Sequence, residues 1–288
     1  MIIVLTGPTG SGKSKMALSI AQKTGAAIIN ADAFQVYQEL NIATAKPSIH
    51  MRSLAPHFLY DFVPLNESYN VVEYQADMRS VLHHCQQQNQ HVLIAGGTGL
   101  YIRAALYDYE FSPSKPVDLS AYEAMDTSSL HQALADMDPA AAEAIHPNNR
   151  QRVLRAIEIA LQSGSTKTEL EQKQTHEPMF PALFYGIETD RGDLYRAAEQ
   201  RVDEMFAEGL LEETLPLIER YGRDAMAFRA IGVKELFPYI DGEATLEETK
   251  ALIKTHTRQY IKRQMTWFAH QFDLTWIRDE DAILSTLR

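Results

Sequence analysis

Cysteine is nearly absent: Cys85 is the one thiol in 288 residues. A single cysteine excludes an internal disulfide and any cysteine-based zinc site, and it fits a reducing cytosol. Cys85 itself is expected to pack on a helix. No apolar run approaches the ~20 residues that a membrane span needs, so no membrane partner is expected. The apolar start Met1–Leu5 is short for a secretory signal and lacks a basic flank, so it reads as a first strand. Positive charge is also scarce, with 27 Lys+Arg against 38 Asp+Glu and a net charge of −11. That balance alone argues against a nucleic-acid partner, although the basic residues are unevenly spread. Internal repeats and low-complexity tracts are missing as well.

The remainder is an ordinary globular mix, 45% hydrophobic and 23% charged, with apolar content for a substantial core. The length suits one large domain with an insertion, or two domains. Short apolar runs give strand signals at residues 2–6, 26–30, 58–63, 91–97, 182–187 and 274–277. Helical periods lie between them, with Met16, Ala17, Ile20 and Ala21 on one side of the first. Alternating strands and helices, with continuous apolar runs in the strands, predict a parallel sheet covered on both faces. The pattern breaks at "EFSPSKPVD" (110–118), and a strand-free helical stretch follows. The expected fold is therefore α/β, a P-loop NTPase-like parallel sheet flanked by helices. Residues 1–111 and 182–288 would form its core and C-terminal helices, and 112–181 a small inserted helical domain. Further helices are expected at 192–221 and 246–272.

Gly7-Pro8-Thr9-Gly10-Ser11-Gly12-Lys13-Ser14 matches G-x-x-x-x-G-K-[ST], with a strand before it and a helix after it. Its glycines let the backbone wrap an anion, and the helix N-terminus adds free amides and a positive dipole end. Lys13 supplies a point charge, and the Ser14 hydroxyl is placed for Mg²⁺. The pattern indicates a di- or triphosphate without identifying the molecule that carries it. A hydrolase built on such a loop usually has a second strand ending in Asp. Here the fourth strand runs into "IAGGTGLY", without an acid. The nearby strand-end acid is Asp32, at the end that would face the loop across the crevice. A turn-forming aspartate is the plainer alternative. A phosphate cradle paired with a carboxylate suggests group transfer to an acceptor rather than hydrolysis.

Six motifs occur in order along nearly the whole chain: "GPTGSGKS", "NADAFQVYQELNIATAKP", "GGTGLY", "IHPNNRQRVLRAIEI", "IGVKEL" and "TRQYIKRQMTWF". In register they resemble the tRNA dimethylallyltransferases. The resemblance implies transfer of a dimethylallyl group from dimethylallyl diphosphate to N6 of adenosine 37, in tRNAs that read codons starting with U. The cradle would then hold an isoprenoid diphosphate, and diphosphate would leave, its charge stabilised by amides, Lys13 and Mg²⁺. The resemblance also implies roles for Thr98, as a hydroxyl donor to the diphosphate, and for Arg201, as its guanidinium contact. Thr98 is equally suited to N-cap the following helix. Arg201 shares a helical face with Leu194, Ala197, Ala198 and Met205, where a guanidinium needs an anionic partner, a structural carboxylate being the alternative. Asp32 would take the proton from the adenine amine, and Gln35 can present a donor and an acceptor to an adenine edge.

Two positions depart from the family pattern. Ala33 stands where a serine is usual, and Val233 where an aromatic residue is usual. The segment 118–130 looks shorter than usual, and no Lys or Arg lies between Lys115 and Arg150.

On the RNA side the resemblance implies contact with the tRNA anticodon stem-loop through Ala33, Phe34 and Gln35 and through Gln151, Arg152, Val153, Leu154 and Arg155. Arg229 and Lys234 match a further contacting segment. The helix after Asn149 has an apolar face of Val153, Leu154, Ile157 and Leu161, with Gln151, Arg152 and Arg155 on another face. A solvated face is its alternative reading. Lys254, Arg258 and Lys262 recur four apart as a basic stripe, equally readable as a solvated helix. Reaching N6 of a stacked adenine requires its extrusion, and Phe34 and Tyr37 are candidate stackers, with a core role open for Tyr37. A cytoplasmic monomer is expected. The competing readings are a small-molecule kinase, for which the basic motifs have no role, and a non-catalytic tRNA-binding paralogue.

Overall fold

The computed structural model describes residues 1–111 and 116–287. The expected insertion boundary at residue 112 lies outside the described residues. Strands β1 (Ile2–Thr6), β2 (Ala27–Asn30), β3 (His57–Phe58), β4 (Val92–Gly96), β5 (Ala182–Ile187) and β6 (Thr275–Ile277) form one sheet in the order β3-β2-β4-β1-β5-β6. Every pairing is parallel. All five residues of β1 and all five of β4 are buried, which is why they read as unbroken apolar runs.

Helix α1 (Lys13–Thr24) follows the first strand directly, and Gly25 ends it in the left-handed conformation, its N–H bonded to Ala21 O. The α1 face Ala17, Ile20 and Ala21 joins Ile3, Leu5, Leu93 and Tyr185 in the core. Each fully buried Ile or Leu among these contributes about 1.5–3 kcal/mol. Next come α2 (Ile49–Ser53), α3 (Val71–Gln87) and α4 (Gly99–Leu106). A capping box of Asn70 and Glu73 opens α3, and Cys85 is fully buried on that helix.

The chain divides into two compact units, residues 1–106 with 180–288, and residues 107–179. The inserted unit holds α5 (Ser120–Glu123), α6 (Thr127–Met137), α7 (Pro139–Ala144), α8 (Arg150–Ser163) and α9 (Lys167–Lys173). Its core gathers Leu130, Leu134, Ala141, Val153 and Ile157. Asp138 ties this unit together: its carboxylate accepts Ala141 N–H (3.0 Å), Thr168 N–H (3.0 Å) and the Thr168 hydroxyl (2.7 Å). The larger unit resumes with α10 (Arg191–Ala207), α11 (Leu210–Tyr221), two 3₁₀ turns (Met226–Arg229 and Lys234–Leu236), α12 (Phe237–Ile240), α13 (Leu246–Gln271) and α14 (Asp281–Thr286).

Two expectations are corrected. The strand expected at 58–63 stops at Phe58, because Leu59 and Asp61 take positive φ (62° and 61°) and turn the chain out of the sheet. Lys46 (2.6 Å) and Arg52 (2.9 Å) hold the Asp61 carboxylate there. The helical stretch expected at 192–221 is present as two helices, separated at Gly209 with φ 101°. Leu161, expected on the apolar face of α8, is 41% exposed, while Ala156 takes the core position. Among the described residues, no helix is long and apolar enough to cross a membrane.

Candidate active site

Two hollows meet at the carboxyl ends of the strands. A cleft of about 530 Å³ is lined by Thr9, Gly10, Gly12, Lys13, Ser14 and Lys15 on one side and by Ala95, Gly96 and Gly97 on another. A second cavity of about 260 Å³ has apolar walls that include Ala198, Val202, Met205, Ile231 and Ile253. The two share Thr9, Asp32, Thr44, Ala45 and Arg201. One hollow is thus polar and glycine-rich, the other apolar, with an acid and a guanidinium where they join.

The loop supplies this geometry through left-handed glycines, Gly10 (φ 86°) and Gly12 (φ 83°), which turn it into the start of α1. Gly7 and Pro8 are buried beneath it. Lys13 Nζ donates to Gly7 O (2.6 Å) and Pro8 O (2.8 Å), so its ammonium is held inside the loop. Burial pushes Lys13 down to about 8, against the raising effect of the nearby Asp32 charge. Ser14 is exposed on the cleft. Ser11 turns inward: its N–H bonds to Pro8 O (3.2 Å), and its buried hydroxyl packs against Gly7 with no hydrogen-bond partner among the described residues.

With burial pushing Lys13 down to about 8, a phosphate anion seated against its ammonium would be held less tightly as pH rises through that value. Titration calorimetry with inorganic diphosphate from pH 7 to 9 should show a loss approaching tenfold per pH unit above 8, relative to the same titration of Lys13→Met. Parallel curves for both chains would contradict this.

Asp32 takes the turn-forming role with one carboxylate oxygen and leaves the other on the cavity. Its Oδ1 accepts the N–H of Phe34 (2.9 Å) and Gln35 (3.4 Å), a turn-forming role. No described residue bonds to Oδ2, so this oxygen is available on the cavity. Burial raises the Asp32 pKa, opposed by those two N–H groups and by Lys13. Asn30 fixes the segment from below, its Oδ1 accepting Asp32 N–H (2.9 Å) and its Nδ2 donating to Asp32 O (3.0 Å) and Leu59 O (2.9 Å).

Thr98 stands at the N-cap position, its carbonyl accepting Tyr101 N–H (3.0 Å), but its hydroxyl goes elsewhere. Thr98 Oγ1 accepts the Ala33 N–H (3.1 Å), tying the two strand-end loops together. The Thr98 hydroxyl is also hydrogen-bonded to the buried Tyr260 phenol, which lines the apolar cavity. Arg201 lies on both hollows, 28% exposed, with Nη1 3.2 Å from the exposed Glu208.

Gln35 departs from expectation. Its Nε2 donates to Thr44 O (3.0 Å) and Ala45 O (3.4 Å), so it braces the cleft wall and leaves only its carbonyl oxygen for a ligand. Glu213 holds the same wall from α11, its carboxylate accepting N–H from Asn41 (2.8 Å), Ile42 (2.9 Å) and Ala43 (3.0 Å). Phe34 lines the apolar cavity, whereas Tyr37 is 1% exposed and belongs to the core.

Arg229 and Lys234 are exposed at the apolar cavity, and Arg263, which sequence reasoning missed, joins them. Val233 between them is fully buried. The basic stripe of α13 is largely neutralised by α10: Lys254 pairs with Asp203 (2.7 Å) and Arg258 with Glu199 (2.8 Å). In the inserted unit Gln151, Arg152 and Arg155 are exposed, Arg155 pairing with Glu158 (2.6 Å), and Leu154 is half-buried. Val153, expected as a contact, is fully buried in that unit's core, so its side chain has no surface to offer.

Backbone packing explains the glycines opposite the loop. A methyl on Gly96 would overlap the Ala31 backbone, and one on Gly99 the Trp267 ring. Gly96→Ala should therefore cost about 1–3 kcal/mol or more, read as a lowered denaturation midpoint. An unchanged midpoint would refute the contact.

A family model described as IPP transferase matches residues 35–271. The tRNA dimethylallyltransferase of Anoxybacillus flavithermus is 40% identical over 277 residues, 96% of this chain and 89% of that protein. That of Bacillus subtilis is 38% identical over 281 residues, covering 96% and 90%. Among solved structures, a tRNA delta(2)-isopentenylpyrophosphate transferase from Staphylococcus epidermidis superposes with a TM-score of 0.72 at 36% identity, over 99% of this chain and 95% of that one. A eukaryotic dimethylallyltransferase acting on tRNA gives 0.82 at 28% identity, over 96% and 73%.

Proposed function

Because the chain belongs to the tRNA dimethylallyltransferase family, and so moves a dimethylallyl group from dimethylallyl diphosphate to N6 of adenosine 37 in tRNA, we propose that the transfer happens at the junction of the two hollows. The observation that carries this reading is Asp32 on the wall shared by the phosphate cleft and the apolar cavity. The diphosphate lies on the loop Gly7–Ser14, against the amides at the start of α1, with Lys13 and Arg201 as its charged partners. The dimethylallyl group and the extruded adenine share the apolar cavity, and Phe34 is its aromatic wall.

The bond from N6 to the allyl carbon forms as the carbon–oxygen bond to diphosphate breaks. The N6 proton passes to Asp32 Oδ2, and diphosphate leaves with the electron pair of the broken bond. Thr98 donates its hydroxyl proton to the diphosphate while it holds Ala33. Lys13 and Arg201 meet charge that grows on the leaving group, which is where fixed cations accelerate a reaction most.

The cleft also suits Mg²⁺. Ser14 is exposed there, no described residue bonds to its hydroxyl, and Asp32 lines the same cleft, the sparse oxygen donor set that Mg²⁺ takes while keeping its waters. Ser14 would hold the ion, which when bound supplies further charge neutralisation of the diphosphate.

Arg229, Lys234 and Arg263 take phosphates of the anticodon stem-loop at the cavity mouth, and Gln151, Arg152 and Arg155 contact the same RNA from the inserted unit. A monomer in a reducing cytosol suffices for this chemistry.

Release of inorganic diphosphate tests the assignment. It should require dimethylallyl diphosphate and tRNA together. ATP-dependent phosphorylation of a small acceptor, without use of the isoprenoid, would refute it.

A further inference from the structure

Gln264 is a primary amide, 5% exposed, on the inner face of α13. A buried amide needs partners for both ends, and this one finds them on two different loops. Its Oε1 accepts the N–H of Thr9 (3.2 Å), in the phosphate loop, and its Nε2 donates to Gly97 O (3.0 Å), in the turn after β4. Those two loops form facing walls of the cleft, and Gln264 lines the cleft between them. The fit leaves no slack, since a methyl on Gly97 would overlap Gln264 Nε2. The same helix presses Trp267 onto Gly99.

We infer that Gln264 is a positioning residue for the transfer: its one side chain sets the separation of the phosphate loop and the Gly96–Gly99 turn, and so the width of the diphosphate site. The inference rests on the proposed seat of the diphosphate in that cleft. Only a primary amide serves here. A carboxylate would set an anionic oxygen with no proton against the negative end of the Gly97 carbonyl, and an apolar side chain would leave a buried N–H and a buried carbonyl unpaired. Without the clamp the loop amides and Lys13 no longer converge on one anion, and the loss falls on the isoprenoid diphosphate rather than on tRNA.

The test uses the full chain with Gln264→Met, which keeps length and packing and removes both hydrogen bonds. Steady-state kinetics with each substrate varied should give a KM for dimethylallyl diphosphate raised about tenfold or more, with the KM for tRNA within twofold. Calorimetry with inorganic diphosphate should show the same loss of affinity. Gly97→Ala should reproduce this split, and it should add little in a Gln264→Ala background, where the amide it displaces is gone. Should Gln264→Met fail to fold, Gly97→Ala alone carries the comparison. An unchanged KM and diphosphate affinity overturn the inference, as does an equal loss for both substrates with a lowered melting temperature, which marks a merely structural role. Absence of transfer by the parent chain would overturn the proposed function instead, and diphosphate calorimetry would still decide the role of the clamp.

Discussion

Asp32→Asn should leave the chain folded and able to bind both tRNA and dimethylallyl diphosphate, and should lower kcat by about 10²–10⁴-fold. The substitution is nearly isosteric, and its carbonyl oxygen can still accept the Phe34 and Gln35 N–H groups, so the turn survives. Only the proton acceptor at Oδ2 is lost. Burial holds the Asp32 pKa above the ordinary carboxylate range, so the ionised base disappears earlier than usual on acidification. The kcat/KM profile of the parent chain should therefore fall on the acid side with an inflection above that of an ordinary aspartate. Single-turnover kinetics with saturating tRNA separates the chemical step from binding. A variant that turns over at the parent rate would remove Asp32 from the mechanism.

Lys13→Met should reduce kcat/KM by about 10²–10³-fold, the cost of removing one fixed donor from a site of developing charge. Its effect on stability runs the other way. The folded chain holds Lys13 near 8 against 10.5 for a free side chain, because burial disfavours the charged form. Between those values the folded state has released a proton that the unfolded state keeps, so parent stability rises with pH across that window. Below it the buried ammonium is a penalty, and Lys13→Met escapes it. At pH 7 the variant should melt at the same temperature as the parent or higher while being nearly inactive. Activity and melting temperature falling together would show that Lys13 serves the fold rather than the phosphate.

The sheet and the cradle were legible because each depends on contiguous residues. Strands such as Ile2–Thr6 announce burial on both faces by an unbroken apolar run, and the phosphate loop carries its glycines in fixed order. The second wall of the site was not legible. Glu213 caps Asn41, Ile42 and Ala43 from some 170 positions away, and Gln264 bridges to Thr9 across 255. Both are polar residues on helices whose periodicity says only which side is apolar. Gln35 was placed correctly near Asp32, yet its donors are consumed by Thr44 and Ala45, because the chain returns there in a left-handed turn at Ala45 (φ 52°). Val153 and the α13 stripe show the same limit. Helical spacing marks a face, but what covers that face, a core or a row of acids on α10, is a tertiary fact.

In the proposed reaction the phosphate loop serves an isoprenoid leaving group, and the acceptor is one adenine amine. The measurement that tests it most directly combines the purified chain, Mg²⁺, dimethylallyl diphosphate and unmodified tRNA carrying A36-A37-A38, followed by digestion and mass analysis of the nucleosides. N6-dimethylallyladenosine should appear at about one per tRNA, and not at all when guanosine replaces A37. Bound tRNA that remains unmodified, or a product at another base, would contradict this.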